Sequence, residues 1–362
     1  MNNSGTLFAM ITRRTARRLG LVLAISSVAI TAAGCSASAS GGSSTDGTSS
    51  TGGGGGGGSF NVAWLPGTEV PMYAARAVGA FQKEGVNPKF IRFENGPAMN
   101  AAFKSESVDI GYSGTPGFLA ALTTGTKMRW IAIDGDNDHE QGLVARAGSG
   151  ITSVKDLAGK KVAAPIGTTA WMGLKISLQD AGMSLSDIKF VDLKTNAMTA
   201  AFQRGDVDAI HVYAPWLYKL QSVGGKVIET DNTLSKPADI SGWFARTDWL
   251  NNNSKQAIGF LRALQDGLKA MKNKPDVVAA YMSKQLGLPE SVVRKEMTNG
   301  TYPTAKQQLA PNTDYSMTSP GGIQKVMQRY KTTLSKAGLL NGTVDLDGAV
   351  TDKYLKTITH GS

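Results

Sequence analysis

The sequence predicts an α/β protein of two similar lobes, each built on a largely parallel sheet, with a cleft between them. Three observations carry that expectation. First, a nineteen-residue stretch occurs twice, AMNAAFKSESVDIGYSGTP at 98–116 and AMTAAFQRGDVDAIHVYAP at 197–215, 99 positions apart and identical at eight places. Second, strand patterns alternate with helical ones around both copies, an order that gives parallel strands joined by helical crossovers. Third, a strand pattern at 239–246 follows the second copy and leads into mostly helical sequence, so the chain returns to the first lobe. In open parallel sheets ligands gather beyond the carboxyl ends of the strands, where the repeated loops fall.

The first 59 residues read as an address and a tether. Arg13, Arg14, Arg17 and Arg18 precede an apolar run at 19–30, which is short for a membrane span. Thr31-Ala32-Ala33-Gly34-Cys35 closes it, small residues directly before a cysteine. That pattern looks like a bacterial lipobox, with residues 1–34 as lipoprotein signal peptide and Cys35 as the lipidated residue; an ordinary signal peptide with a stray cysteine is the plainer alternative. Cys35 is the only cysteine, so no disulfide or Cys-based metal site forms within one chain. Residues 35–59, rich in Gly and Ser with seven consecutive glycines at 52–58, cannot bury enough apolar surface to offset their ordering entropy. They read as a flexible tether.

The folded part begins near Phe60, with room for two cores. Lobe one is read over 60–145, lobe two over 146–240, and 241–362 returns to lobe one and ends in helices. In lobe one the strand patterns are 60–65, 89–93 and 108–112, with further strands at 129–133 and 142–146 and one helix over 72–85. In lobe two a short capped helix at 153–160 precedes a strand at 161–164, the second copy follows, and 227–229 is an edge strand. Helices at 254–273, 275–287, 289–300 and 322–338 start or stop at Ser, Pro or Gly, residues suited to those positions. The two crossings, near 146–152 and 239–246, predict a hinge.

Loss of the signal peptide lowers the formal charge from +10 to +6. Lys and Arg are scattered, without basic runs interleaved with aromatics, which argues against nucleic acid as a partner. Signs of catalysis are few. His139, His211 and His360 lack metal-ligand spacing, and no nucleophile elbow, GxGxxG or GxxxxGK[ST] occurs outside the tether. His211 lies within a strand and reads as a core side chain. Asp206 and Asp208 form a candidate carboxylate pair, but Asp109 holds the same place in the first copy, which favours a structural role at the start of a strand.

The loops offer hydroxyls and free amides instead. Thr68, Thr115, Thr168 and Thr169 fall where strands end and helices begin, and a helix N-terminus suits an anionic head group. Each taken alone is equally an N-cap. Trp64, Trp171, Tyr213 and Trp216 in or beside these loops supply apolar walls or inter-lobe packing.

With these residues in view, the chain resembles the substrate-binding lipoproteins of ABC importers, nearest the taurine, alkanesulfonate and nitrate branch. The resemblance rests on AAFQRGDVDAIHVYAPW at 200–216, SVKDLAGKKVAAPIGTTAW at 153–171, VDIGYSGTP at 108–116 and NGTYPTAKQQ at 299–308, the last being closest to taurine binders. It implies a two-lobed periplasmic-binding-protein type II fold, two parallel-rich sheets with flanking helices joined by a two-strand hinge. It implies a non-enzymatic role at the outer face of the cell membrane, with no cofactor. A small anionic or zwitterionic solute would be captured between the lobes and delivered to a permease and its ATPase. The sulfonate loops map to Gly114-Thr115-Pro116 and Thr168-Thr169, with Gln141 and the stretch from Tyr213 to Trp216 nearby. Taurine binders resemble one another in a Leu-Asp-x-Trp-like stretch whose acid holds the amine. Here that stretch reads Ile240-Ser241-Gly242-Trp243, which leaves Asp239, Glu69 or Glu140 to supply the charge. Related proteins accept other nitrogenous or aromatic metabolites. A self-sacrificing enzyme of pyrimidine-precursor synthesis shares the fold but needs histidines and a cofactor site that this sequence does not show.

Overall fold

Both copies of the repeat fold into the same unit. The computed structural model describes residues 58–65, 69–93, 96–136, 138–236 and 240–360, all within the compact unit Gly53–Ser362. The signal peptide, Cys35, most of the tether, Thr68 and Asp239 lie outside the described residues. The first unit runs β1 (Phe60–Trp64), α1 (Val70–Ala77), α2 (Ala80–Lys83), β2 (Pro88–Arg92), α3 (Gly96–Lys104), β3 (Ile110–Gly114), α4 (Thr115–Leu122). After β4 (Met128–Gly135) and β5 (Gln141–Ala145), the second runs β6 (Lys161–Ala164), α5 (Thr169–Asp180), β7 (Lys189–Asp192), α6 (Thr195–Arg204), β8 (Ala209–Tyr213), α7 (Trp216–Ser222). Next come β9 (Lys226–Thr230), β10 (Ser241–Arg246), α8 (Thr247–Asn252) and α9 (Ser254–Asn273). The chain then continues through α10 (Pro275–Leu286), α11 (Glu290–Asn299), α12 (Ala305–Leu309), α13 (Ile323–Lys336) and α14 (Lys353–His360).

Two five-stranded sheets result, ordered β2-β1-β3-β10-β4 and β7-β6-β8-β5-β9. Within each, the first strand of the unit is parallel to its two neighbours, and a strand from outside the unit adds antiparallel. This is the two-sheet α/β fold the sequence predicts. Two boundaries move. Strand β5 was expected to close lobe one, yet it pairs with β8 and β9, so the second sheet begins at Gln141 and the first crossing lies at 136–140. All five β5 residues are buried, and a run apolar on both faces carries no sign of which sheet it joins. The second crossing likewise falls earlier, between β9 and β10. The helix expected over 72–85 is split into α1 and α2 by Gly79, whose φ of +67° ends regular helix.

Helices α8 to α14 thicken lobe one. The 20-residue α9 packs along α1, where a Cβ at Gly267 would collide with the Pro71 carbonyl; only glycine permits that approach. Phe260 of α9 packs on Phe81 face to face and on Phe60 and Trp243 edge-on, with centroids 5.1–6.1 Å apart, and Phe103, Phe118, Trp130 and Phe244 form a second aromatic group at 5.1–6.3 Å. Such pairs add to the area each ring removes from water.

The repeated aspartates have a structural task in both lobes. Asp109 accepts from the Asn61 amide at 2.8 Å, and its other oxygen lies 3.3 Å from Arg246 Nη2. Asp208 accepts from the Lys161 amide at 2.9 Å and lies 3.5 Å from Arg146 Nη2. Each carboxylate thus joins the first strand of its unit to the residue at or just past the end of the strand that crosses in from outside. The Arg246 side chain is 9% exposed and that of Arg146 33%, so solvent screens the second pair more. Asp109→Ala is expected to cost about 1–3 kcal/mol by leaving the Asn61 amide and Arg246 Nη2 without their acceptor, while Arg246 Nη1 keeps Glu106 at 2.9 Å and Asp248 at 3.3 Å. Asp208→Ala should cost less, and urea denaturation of the two variants measures the difference.

Candidate functional site

Between the lobes lies a cleft of about 350 Å³, lined from the carboxyl ends of β1, β3, β6 and β8 and the helices that follow them. Lobe one contributes Leu65, Glu69, Asn100, Tyr112, Ser113 and Gly114; lobe two contributes Ile166, Gly167, Thr168, Thr169, Tyr213 and Ala214. Ser241 on β10 and an apolar wall of Leu334, Leu339 and Leu340 complete it. At its base the lobes touch. A Cβ on Gly114 would stand 2.8 Å from Thr169 Cγ2, too close for any side chain, so glycine there lets the second lobe seat against the first.

Of the expected residues, Glu69, Gly114, Thr168, Thr169 and Tyr213 line the cleft. Thr115, Gln141 and Trp216 stand behind it: Thr115 and Gln141 are fully buried, and half-buried Trp216 packs edge-on against Tyr213 with centroids 5.5 Å apart. The expectation that threonine hydroxyls donate to a ligand is corrected. Thr115 Oγ1 donates to the Ile240 carbonyl at 2.8 Å and Thr168 Oγ1 to the Pro165 carbonyl at 2.6 Å. Thr169 Oγ1 donates to Gln141 Oε1 at 2.8 Å, and Ser113 Oγ to the Gly114 carbonyl at 3.0 Å. A hydroxyl has one proton, and here each is committed internally.

Backbone donors remain at the start of α5, whose Thr168 and Thr169 line the cleft. Thr168 caps α5, taking the Trp171 amide on its hydroxyl at 3.3 Å, while its carbonyl takes the Met172 amide. The amides of Thr169 and Ala170 have no partner within the helix, and the dipole of its 12 residues adds partial positive charge at that end. No Lys or Arg is among the lining residues.

Sequence reasoning missed Asn100, Tyr112, Ser113 and the leucine wall, while Ser241, noted at the place of the taurine binders' acid, does line the cleft. Asn100 lies on α3 inside the repeated stretch, where its counterpart is Thr199; that divergence within a conserved pattern was the available signal. Leu334 lies on α13 and Leu339 and Leu340 follow it, remote in sequence from every loop considered.

At the cleft wall and behind it, lobe one is acidic. Glu69 is fully buried and neither carboxylate oxygen has a hydrogen-bond partner; burial pushes its pKa well up, and the nearby charges of Asp134 and Glu296 push it further, against its own backbone amide and Arg92. Asp134 is pushed up to about 7 by burial, although Trp243 Nε1 donates to it at 2.7 Å. Glu296 reaches about 8 through burial and the charge of Glu140. Asp136, on the first crossing, reaches about 6 by burial. Glu140 is raised by burial and partly restored by the Asn299 amide at 2.8 Å. Among the described residues no group of three His, Cys, Asp or Glu is arranged to hold a metal ion.

Over residues 68–278, more than half of its length, the sequence matches the NMT1/THI5-like family. The chain belongs to that family. This NMT1/THI5-like chain is 26% identical to the taurine-binding periplasmic protein of Escherichia coli K12 over 259 residues, 69% of this chain and 80% of that one. Its fold matches the periplasmic aliphatic sulphonate binding protein SsuA of E. coli with a TM-score of 0.68 and 20% identity, over 81% of this chain and 92% of the other. The alkanesulfonate-binding SsuA of Xanthomonas axonopodis pv. citri, bound to MOPS, matches with a TM-score of 0.68 and 17% identity, over 81% and 98%. The desulfurization enzyme DszB shares the fold as well, with a TM-score of 0.60 and 17% identity over 84% and 99%. The architecture therefore serves both binding and catalysis, and the relatives found by sequence are binding proteins.

The acids make a pH signature. Carboxyls held above their unfolded values bind protons more tightly in the native state, so their contribution is fully present below the unfolded carboxylate range and is lost as pH rises through the folded values. With folded values of about 6, 7 and 8 at Asp136, Asp134 and Glu296, the thermal midpoint should fall by several degrees from pH 5 to pH 9. Glu296→Gln, neutral at every pH, should flatten the upper part of that fall in calorimetric scans.

Proposed function

We propose that this chain is the solute-binding component of an ABC importer, taking up a small organic sulfonate between its lobes and presenting it to a permease. The observation that carries this reading is the α5 mouth, a helix N-terminus whose Thr168 and Thr169 line a cleft that no basic side chain lines. A sulfonate stays ionised near neutrality and suits neutral donors. Simple inorganic anions would leave the rest of the cleft unused. The sulfonate-binding relatives support the same class of solute. The leucine wall favours a carbon chain longer than taurine's, since apolar contacts contribute roughly 0.8 kcal/mol per buried methylene. Glu69 fits a cationic group on the same solute, which makes the ligand zwitterionic. Lipidation of Cys35 would hold the protein at the outer face of the membrane on a Gly/Ser tether.

Titration calorimetry with taurine and with 3-aminopropanesulfonate should show binding, tighter for the longer solute. Glu69→Gln should weaken it roughly 10- to 100-fold, the loss of a hydrogen bond to a charged group being about 1.5–3 kcal/mol. Absence of heat and of thermal stabilisation with every sulfonate tried would sink the reading. For the anchor, Cys35→Ala should shift the protein from the membrane to the soluble fraction and abolish the lipid mass on the mature N-terminus.

A further inference from the structure

A buried chain of side chains runs inward from the cleft. Thr169 Oγ1 donates to Gln141 Oε1 at 2.8 Å, Gln141 Nε2 donates to Asp231 Oδ2 at 2.5 Å, and Asp231 Oδ1 sits 2.9 Å from His211 Nε2. All four residues are buried, at 7%, 0%, 1% and 0% exposure. The chain is built into the backbone around it. Helix α5 carries glycine at 173, where a Cβ would collide with the Asp231 carboxylate and the His211 ring. Gln141 begins β5 just after the first crossing, and Asp231 follows β9 at the start of the second.

The chain has a direction fixed by chemistry. Between carboxylate and hydroxyl, the two ends of an amide are not interchangeable. A carboxylate only accepts, so Gln141 must turn its NH₂ toward Asp231 and its oxygen toward Thr169. Thr169 must then donate inward, and lone pairs are all its hydroxyl has left for the cleft it lines. A sulfonate oxygen, which also only accepts, gains nothing from that hydroxyl.

We infer that Gln141 and Asp231 are specificity-determining positioning residues: they hold the Thr169 hydroxyl as an acceptor, so the subsite beside the α5 mouth takes a hydrogen-bond donor of the solute, an ammonium or amide N–H. This rests on the sulfonate reading above and assigns polarity to one side of the same cleft. The anionic head goes to the backbone amides of α5, and the ammonium, with three protons to give, serves the Thr169 hydroxyl together with Glu69, both of which line the cleft. Without the chain, the hydroxyl rotates and serves donors and acceptors alike.

The test compares 3-aminopropanesulfonate with propanesulfonate, one amine apart, on the full chain by titration calorimetry. Wild type should prefer the amine by tenfold or more. Gln141→Leu should cut that preference severalfold, chiefly by weakening the aminosulfonate, with melting followed in parallel to confirm folding. Thr169→Ser should retain the preference and Thr169→Val should lose part of it. Asp231→Asn, which permits the Gln141 amide to turn over, should also reduce it. An undiminished preference in folded Gln141→Leu and Asp231→Asn overturns the inference. Should neither sulfonate bind wild type, the sulfonate reading falls, and β-alanine against propionate, again one amine apart, decides the polarity by the same variants; no amine preference in either pair overturns it.

Discussion

The two-lobed arrangement depends on one electrostatic joint used twice. In each lobe an aspartate just ahead of the third strand binds the amide at the start of the first strand and the arginine at the end of a strand arriving from the other side. Such a strand is held in its sheet by its ladder, by the packing of its buried side chains and by this charge pair. Register is pinned by packing as well, because a one-residue slip would bring a side chain where only Gly142 or Gly242 fits. A carboxylate that must meet an arginine and a specific amide adds to that constraint. With β5 and β10 pinned, the loops at the carboxyl ends of the parallel strands face each other across the cleft.

The cleft inherits an electrical asymmetry from this layout. Lobe two offers the positive end of α5, while lobe one backs the opposite wall with buried acids. An ionised carboxylate in such a setting would carry a heavy desolvation penalty, and the raised pKa values of Glu69, Asp134 and Glu296 mean that protonation relieves much of it. An empty cleft is therefore less negative than its sequence suggests. A solute with a cationic group changes the balance, because its charge favours the ionised form of the nearest acid. The polarity of the wall is a response to the ligand as much as a property of the chain.

Much of the fold was legible because it is local and repeated. The match between 98–116 and 197–215 places α3 and β3 in register with α6 and β8. The role of Asp109 and Asp208 followed from the same equivalence. What the sequence hid is non-local. The sheet to which β5 belongs is decided by pairing with β8 and β9, and its residues are apolar enough for either sheet. In the site, residue types and loop positions were visible for Glu69, Gly114, Thr168 and Thr169, but hydrogen-bond direction was not. A threonine at a helix start looks like a donor until its partner is known, and the partners of Thr115 and Thr169 lie 125 and 28 residues away. The leucine wall was out of reach for the same reason.

The repeat also explains how one scaffold yields an unsymmetrical site. Gly114 and Tyr213 hold equivalent places at the ends of β3 and β8, and both line the cleft. At 114 the facing threonine leaves no space for a side chain, whereas at 213 an aromatic ring fills the opposite corner and rests on Trp216. Two positions earlier, Tyr112 packs on Trp243 at 5.0 Å while its counterpart His211 meets the Asp231 carboxylate. Conserved positions of the repeat, such as the paired phenylalanines Phe103 and Phe202, are buried and serve packing in both lobes. Buried positions diverge too, Gly111 against Ile210 and Tyr112 against His211, because each lobe packs its own neighbours. At the strand ends, where Gly114 and Tyr213 reach the cleft, the same divergence shapes recognition.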